Sequence, residues 1–164
     1  MIKPLFQNIL VAVNGSQTSI HAAMYGIMMA KQYHLNMKVV YVVDTATLKQ
    51  LTLSKFFVAD ESADYESNLT DDGEHSLKYI GELAKQKGVK IETEMRKGAV
   101  WSEIVAAAES FEANLILIGA NEEKQYGVSH HNFVSVSRSE IIASASCSVL
   151  VVRQPKIEQM FKLC

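Results

Sequence analysis

The sequence contains few of the residues that mark disulfide-stapled, membrane-spanning or strongly charged proteins. Its two cysteines, Cys147 and Cys164, are too few and too poorly placed for a disulfide framework, which favours a reducing compartment. No apolar run approaches the roughly 20 residues that a membrane-spanning helix needs, and the N-terminus lacks a signal-type cleavage region. A formal net charge of -2 gives no general attraction to nucleic acid or to an anionic membrane. We therefore expect a cytoplasmic protein with no nucleic-acid or membrane partner.

What is present is a high apolar content and a regular alternation of patterns. Hydrophobic residues make up 48% of the 164 residues, which suits a single domain, 1–164, with a substantial core. Apolar residues at helical spacing mark four helices, around 20–28, 69–84, 101–108 and 141–145, and Gly88 is placed to end the second. The Met residues at this spacing in the first helix indicate core packing.

Five strand-like segments alternate with these helices. Most are continuous apolar runs, as in strands covered on both faces, and the third has a weaker alternating pattern. The segments are NILVAV (8–13), MKVVYVV (37–43), VKIETEM (89–95), LILI (115–118) and SVLVV (148–152). The alternation predicts an α/β fold, a doubly wound five-stranded parallel sheet in the order 3-2-1-4-5 with helices on both faces.

A sheet of this kind binds ligands at its carboxyl edge, where the strand order reverses. The loops concerned follow the first and fourth strands, at Asn14–Ser16 and from Gly119 onward. Charged residues Glu122, Glu123 and Lys124 follow Gly119, at the point where many nucleotide-binding folds have a glycine-rich phosphate loop. This loop therefore decides whether the crevice can hold a phosphate.

Three phrases in this order resemble the universal stress protein family across roughly residues 7–153. They are ILVAVNGSQTS, KGAVWSEIVAAAESFEANLILIGA and CSVLVVR. The resemblance implies the same doubly wound fold, a core at about 7–153 and a C-terminal tail at 154–164. It also implies a nucleotide site, because many members bind ATP.

The resemblance assigns candidate positions for that site. The first turn, usually Asp-Gly-Ser, is Asn14, Gly15 and Ser16 here, which keeps an acceptor oxygen but loses the charge. Val42 corresponds to the residue that lies against adenine, and Gly119 to the first glycine of the phosphate loop.

The remaining phosphate-loop positions depart from the family pattern. Glu122 stands at the second glycine, and the third falls at Val134 or Ser135, about three residues late, with Ser137 within the same SVS segment. Glycine lets consecutive N–H groups turn toward a phosphate, whereas glutamate adds repulsion. We expect no tight ATP binding. The alternatives are a solvated loop, a nucleotide pocket rebuilt around Ser135 and Ser137, and a pocket for another small ligand. ATP or AMP are the candidate ligands, and no cofactor is required.

Other catalytic or metal chemistry has little support in the sequence. His130 and His131 are adjacent and cannot readily face one metal ion, so no metal site is expected. Ser16, Ser135 and Ser137 have no recognisable base and orienting acid, so no catalytic residue is assigned. Cys147 is interpreted as a small hydrophobic residue.

Two segments have uncertain roles. Residues 60–74 hold seven acids and no base, which indicates either a partner surface or, preferably, a solvated loop leading into a helix. The overlapping run DDGEH (71–75) is interpreted as a helix start. The tail either covers part of a dimer interface with Ile157, Met160 and Phe161 or is free.

The last strand is expected at a sheet edge, where unpaired backbone groups favour a two-fold homodimer through Val149 and Val151. The sequence thus predicts a non-catalytic binding or regulatory module that acts as a homodimer, with a further protein partner that the sequence does not identify. The alternatives are a nucleotide-dependent switch that binds ATP or AMP, and a nucleotide-hydrolysing enzyme of the related superfamily.

Overall fold

The computed structural model describes residues 2–54, 59–120 and 130–164, with backbone alone for 59 and 130–136. Glu122, Glu123 and Lys124 therefore lie outside the described residues. One parallel sheet runs in the order β3-β2-β1-β4-β5, as predicted. Its strands are β1 (Asn8–Val13), β2 (Asn36–Val43), β3 (Ile91–Lys97), β4 (Leu115–Gly119) and β5 (Ser148–Val152).

The described residues form six helices rather than the four that the periodicity predicted. They are α1 (Gln17–Tyr33), α2 (Thr45–Leu53), α3 (Ala59–Gln86), α4 (Val100–Ser110), α5 (His130–Ser144) and α6 (Ile157–Leu163). The expected helices are α1, α3, α4 and α5, whereas α2 and α6 are additional. Helix α2 begins where Asp44 accepts a hydrogen bond from the Thr47 backbone N–H at 3.0 Å, which caps its first turn.

The core lies in two layers because successive side chains of each buried strand point to opposite faces of the sheet. In the central strand β1, Ile9 and Val11 pack in the layer with α1, α3 and α6, whereas Leu10 packs in the layer with α4 and α5. All three side chains are fully buried. Met24 and Met28 of α1 are also buried in the first layer, which confirms their interpretation as core residues.

The acidic segment lies within α3, so the expectation of a solvated loop is wrong. The run 71–75, interpreted as a helix start, lies in the middle of this 28-residue helix. The first-turn acids Asp60 and Glu61 interact favourably with the helix dipole. Further along, Gly73 lies so close to the Tyr41 ring that a Cβ there would approach it to 2.6 Å. Tertiary packing therefore continues the helix through a segment whose composition favoured a loop.

Helix α3 ends at Gln86, and Gly88 follows as the residue that stops it, as the sequence predicted. This residue has a φ of 71°, and the next N–H, that of Val89, donates to the Ala84 carbonyl oxygen at 2.9 Å. A left-handed residue with such a bond is a common helix C-cap, and glycine adopts it without steric cost.

The C-terminal segment packs on its own domain. Ile157 and Phe161 of α6 are buried in the layer with α1 and α3. The Lys87 Nζ lies 4.8 Å from the centre of the Phe161 ring and donates to the Cys164 backbone oxygen at 3.3 Å. Only Met160, of the three tail residues considered for a dimer interface, is exposed. The tail is therefore part of the domain core and not a free extension.

None of the helices in the described ranges is both long enough and apolar enough to cross a membrane.

Candidate functional site

The candidate site lies at the carboxyl ends of β1 and β4, which are neighbours in the sheet although far apart in sequence. The strand order reverses between them, so their following loops diverge and leave a crevice. The crevice contains a partly open cavity of about 80 Å³. Asn14, Val42, Gly119 and Ser137 all line this cavity, so the structure brings together four of the six predicted positions.

The other two predicted positions differ in their placement. Gly15 is in the same loop, with a φ of 82° that glycine adopts readily. Ser135 falls within the second turn of α5, whose backbone begins at His130. The side chain of Ser135 lies outside the described residues.

The loop after β1 is closed by its own hydrogen bonds. The backbone N–H of Ser16 donates to Asn14 Oδ1 at 3.0 Å, and that of Ser19 donates to Ser16 Oγ at 3.2 Å. The Asn14 N–H in turn donates to Ser19 Oγ at 3.3 Å, while this hydroxyl donates to the Ser16 carbonyl oxygen at 2.9 Å. Three backbone N–H groups that point into such a loop are therefore already bonded within the chain.

Gly119 has a packing role that is independent of any phosphate. A Cβ at this position would lie 2.7 Å from both the carbonyl carbon and oxygen of Thr18 and 2.9 Å from the Ser19 nitrogen. These are backbone atoms of the first turn of α1, so they cannot move aside as a side chain would. The close approach of β4 and α1 therefore requires glycine here.

Among the described residues that line the cavity, most of the surface is apolar and Arg138 is the one charged side chain. Val42 is 8% exposed and lies beside other aliphatic side chains, which gives a surface on which a flat apolar group can rest. The polar side chains belong to Asn14, Ser16, Thr18, Ser19, Ser137 and Arg138, and the aliphatic ones to Ala12, Val13, Val42, Val100, Ile104, Ile118 and Ile141.

Arg138 is the residue that the sequence reasoning missed. It is half-buried and brings a positive charge to the cavity wall. The available signal was its position three residues before the buried Ile141 of the same helix, since residues at that spacing share a face. The glycine pattern of the family's phosphate loop does not include this position.

Groups that could perform catalysis are scarce at this site. Among the described residues that line the cavity, none carries a carboxylate, an imidazole or a thiol. Within the same described ranges, no cluster of three or more His, Cys, Asp or Glu side chains could hold a metal ion. The side chains of His130 and His131 are outside these ranges.

Cys147 lies away from the cavity, half-buried against the layer of α4 and α5. Burial raises the pKa of its thiol, which favours the unreactive protonated form. Its surroundings therefore agree with the interpretation of this residue as a small hydrophobic one.

Strand β5 lies at the edge of the sheet, as expected, and pairs with β4 alone among the described strands. Val149 and Val151 are partly exposed and pack on the layer of α4 and α5, whereas Leu150 points to the opposite layer. Within the described ranges, no strand pairs with the other side of the β5 backbone.

Comparison with known proteins gives a consistent result over nearly the whole chain. The model of the universal stress protein family matches residues 5–153. A universal stress protein of Methanocaldococcus jannaschii is 34% identical over 155 residues, which cover 94% of this chain and 86% of the relative. A solved structure from the universal stress protein family of Burkholderia pseudomallei superposes with a TM-score of 0.70 at 20% identity, covering 93% of this chain and all of that one.

A second solved structure, an Arabidopsis thaliana protein of the same family with AMP bound, superposes with a TM-score of 0.62 at 14% identity. It covers 93% of this chain and 94% of its own. At such identities the superpositions show the fold, and the family match with the archaeal relative shows the membership. This chain belongs to the universal stress protein family.

Proposed function

We propose that this protein is a non-catalytic binding module of the stress response, which acts as a cytoplasmic homodimer and does not bind ATP tightly. The observation that carries the proposal is the closed loop after β1. Its N–H groups at Asn14, Ser16 and Ser19 are bonded to side chains of the same loop. A phosphate placed against this turn would therefore find these three N–H groups already bonded.

The magnitude of this obstacle is large enough to matter. Hydrogen bonds to a charged group contribute about 1.5–3 kcal/mol each, so two or three missing donors weaken binding by several orders of magnitude. In addition, the sequence has Glu122 at the position of the family's second phosphate glycine, and Glu123 beside it adds further negative charge. The absence of carboxylates and imidazoles among the described lining residues supports a role without catalysis.

Titration calorimetry with Mg-ATP tests the first part of the proposal. We expect no heat of binding at micromolar concentrations. Trp101 gives an independent readout, because the chain has one tryptophan and it directly follows Val100 of the cavity wall. A dissociation constant in the low micromolar range or tighter for ATP would refute this part.

A second candidate function is an AMP-dependent switch. It is favoured by Arg138, whose charge suits one phosphate group, and by the aliphatic wall at Val42, which suits a purine ring. The AMP-bound plant relative supports it as well. Under this candidate AMP binds, Arg138→Ala abolishes the binding, and the matched change Arg153→Ala at an exposed position leaves it intact. Equal effects of the two changes would contradict a specific contact.

The proposed homodimer uses the open edge of β5. Backbone pairing of two such edges, with Val149 and Val151 near the axis, would extend the sheet into the second copy. Val149→Lys places a charge at this edge and should halve the mass of the assembly at tens of micromolar and about 1 M salt, where contacts between exposed charges are screened. Leu53→Lys makes the same type of change at an exposed apolar residue of α2 and should leave the mass unchanged. An unaltered mass in Val149→Lys would exclude this contact.

A further inference from the structure

An open groove of about 970 Å³ runs between α3 and β3. Strand β3 forms one edge of the sheet and β5 forms the other. Its apolar lining comes from Leu77 of α3 and from Val89, Ile91 and Met95 at β3. Three of these four residues are only half-buried, so the apolar strip remains partly open to solvent. The groove is therefore long enough and apolar enough to receive another segment of chain.

The side of α3 that lines this groove changes its charge along the helix. Positions 74, 78, 81 and 85 line the groove and repeat at alternating steps of four and three, which places them on one stripe of the helix. The same spacing continues toward the N-terminus through positions 71, 67, 64 and 60. The N-terminal half of the stripe carries Asp60, Asp64, Asp71 and Glu74, and the C-terminal half carries Lys78 and Lys85.

These charges are available for a partner. Asp64, Asp71, Lys78 and Lys85 are exposed, and in the part of the chain that the structure describes none of them forms a side-chain ion pair. Between the two lysines, a Cβ on Gly81 would meet nothing within 4 Å. The centre of the basic half is thus open, and a second helix can approach it closely.

We propose that this stripe docks on the α3 stripe of a second copy of the chain, with the two helices antiparallel about a two-fold axis. An axis between Glu74 and His75 sets Asp71 of each copy opposite Lys78 of the other. The same axis sets Asp64 opposite Lys85. Each attractive pair then occurs twice, as an isologous contact requires. A helix of 28 residues is about 42 Å long and therefore spans both halves of the contact.

The choice of occupant follows from charge complementarity. The lysines that line the groove, Lys78, Lys85 and Lys90, outnumber its one acid, Glu74, so the groove fits an acidic segment. The N-terminal half of α3 is such a segment, already helical and exposed, and it brings the reciprocal surface with it. This contact uses the β3 side of the sheet, so it is independent of the dimer proposed at β5.

A charge-exchange experiment tests the contact, carried out in the Val149→Lys background so that the β5 edge does not contribute. In this background we expect a dimer by sedimentation at about 0.01 M salt. It should dissociate toward monomer near 1 M salt, where the screening length falls from about 30 Å to about 3 Å. Lys78→Glu with Lys85→Glu should weaken self-association about tenfold or more, since like charges then face each other. Asp64→Lys with Asp71→Lys should do the same.

The decisive measurement is the mixture of the two double variants. Each fails to pair with itself, but one has acids and the other has lysines at all four paired positions, so together they should form a heterodimer. This recovery also shows that both variants are folded. Lys31→Glu with Lys49→Glu changes the net charge equally at exposed sites away from the groove and should leave the dimer intact. The proposal is overturned if the background protein is monomeric at low salt, if either double variant dimerises as before, or if the mixture remains monomeric.

Discussion

The substitution Gly119→Ala tests whether the approach of β4 to α1 requires glycine. The added Cβ would lie 2.7 Å from the Thr18 carbonyl group, about 0.8 Å inside an ordinary carbon contact of roughly 3.5 Å. Relief requires α1 to move away from the sheet, although this helix buries Ile27 completely. Such overpacking costs about 1–3 kcal/mol. The φ of Gly119 is not positive, so alanine restricts the unfolded chain and returns about 0.4–1 kcal/mol.

We therefore expect a net loss of about 1–2 kcal/mol in the free energy of unfolding. For a protein of this length, that loss lowers the melting temperature by roughly 2–8 °C. Gly81→Ala is the matched control, because its Cβ meets no atom within 4 Å and alanine favours the helix by about 0.5–1 kcal/mol. Thermal and urea unfolding of both variants measure the difference. A melting temperature for Gly119→Ala within 1 °C of the native value would refute the packing argument.

Two further predictions concern the C-terminal tail and the ion pairs of Glu94 with Lys38 and Arg96. Phe161→Ala should destabilise the whole domain by about 3–5 kcal/mol, because the ring is buried in the main core, and urea unfolding measures this loss. If Phe161→Ala altered only the structure of the tail and left the free energy of unfolding of the domain unchanged, this prediction would be wrong. The Lys38 ammonium, and secondly the Arg96 guanidinium, lower the pKa of the Glu94 carboxyl group. The ionised carboxylate therefore stabilises the fold at pH values above the pKa of glutamate in the unfolded chain, about 4.3. Glu94→Gln should cost about 1 kcal/mol at pH 7, and the difference from the native protein should shrink progressively as the pH falls below the unfolded pKa of about 4.3 and through the lower folded one. A difference independent of pH would exclude the carboxylate as its source.

The fold could be predicted largely from the sequence because its strong signals are local. The apolar runs of β1, β2 and β4 need no distant partner to be recognised as buried strands. The crossovers between parallel strands have one preferred hand, which limits the possible strand orders. The stop of α3 before Gly88 could also be predicted, because the left-handed conformation that ends many helices favours glycine in any context.

Elements whose stability comes from distant contacts were misjudged. The acidic half of α3 has a composition typical of loops, yet Glu66 pairs with Lys97 at 3.1 Å and Gly73 fits against Tyr41. Both partners are strand residues that sequence spacing does not connect with the helix. Likewise, the sequence of the tail does not indicate what it packs against. In the structure, Phe161 is buried in the core and its ring lies beside the Lys87 ammonium.

At the site, the sequence by itself determined which loops meet, because parallel strands present their carboxyl ends at one edge and β1 and β4 are neighbours where the order reverses. It identified Asn14, Val42 and Gly119 there. Only the tertiary structure decided what these positions do. Three features depend on how segments distant in sequence are placed to within a few tenths of an ångström, which residue types and spacing do not encode. They are the hydrogen bonds that close the Asn14 loop, the contact of Gly119 with the α1 backbone and the position of Arg138 at the cavity wall.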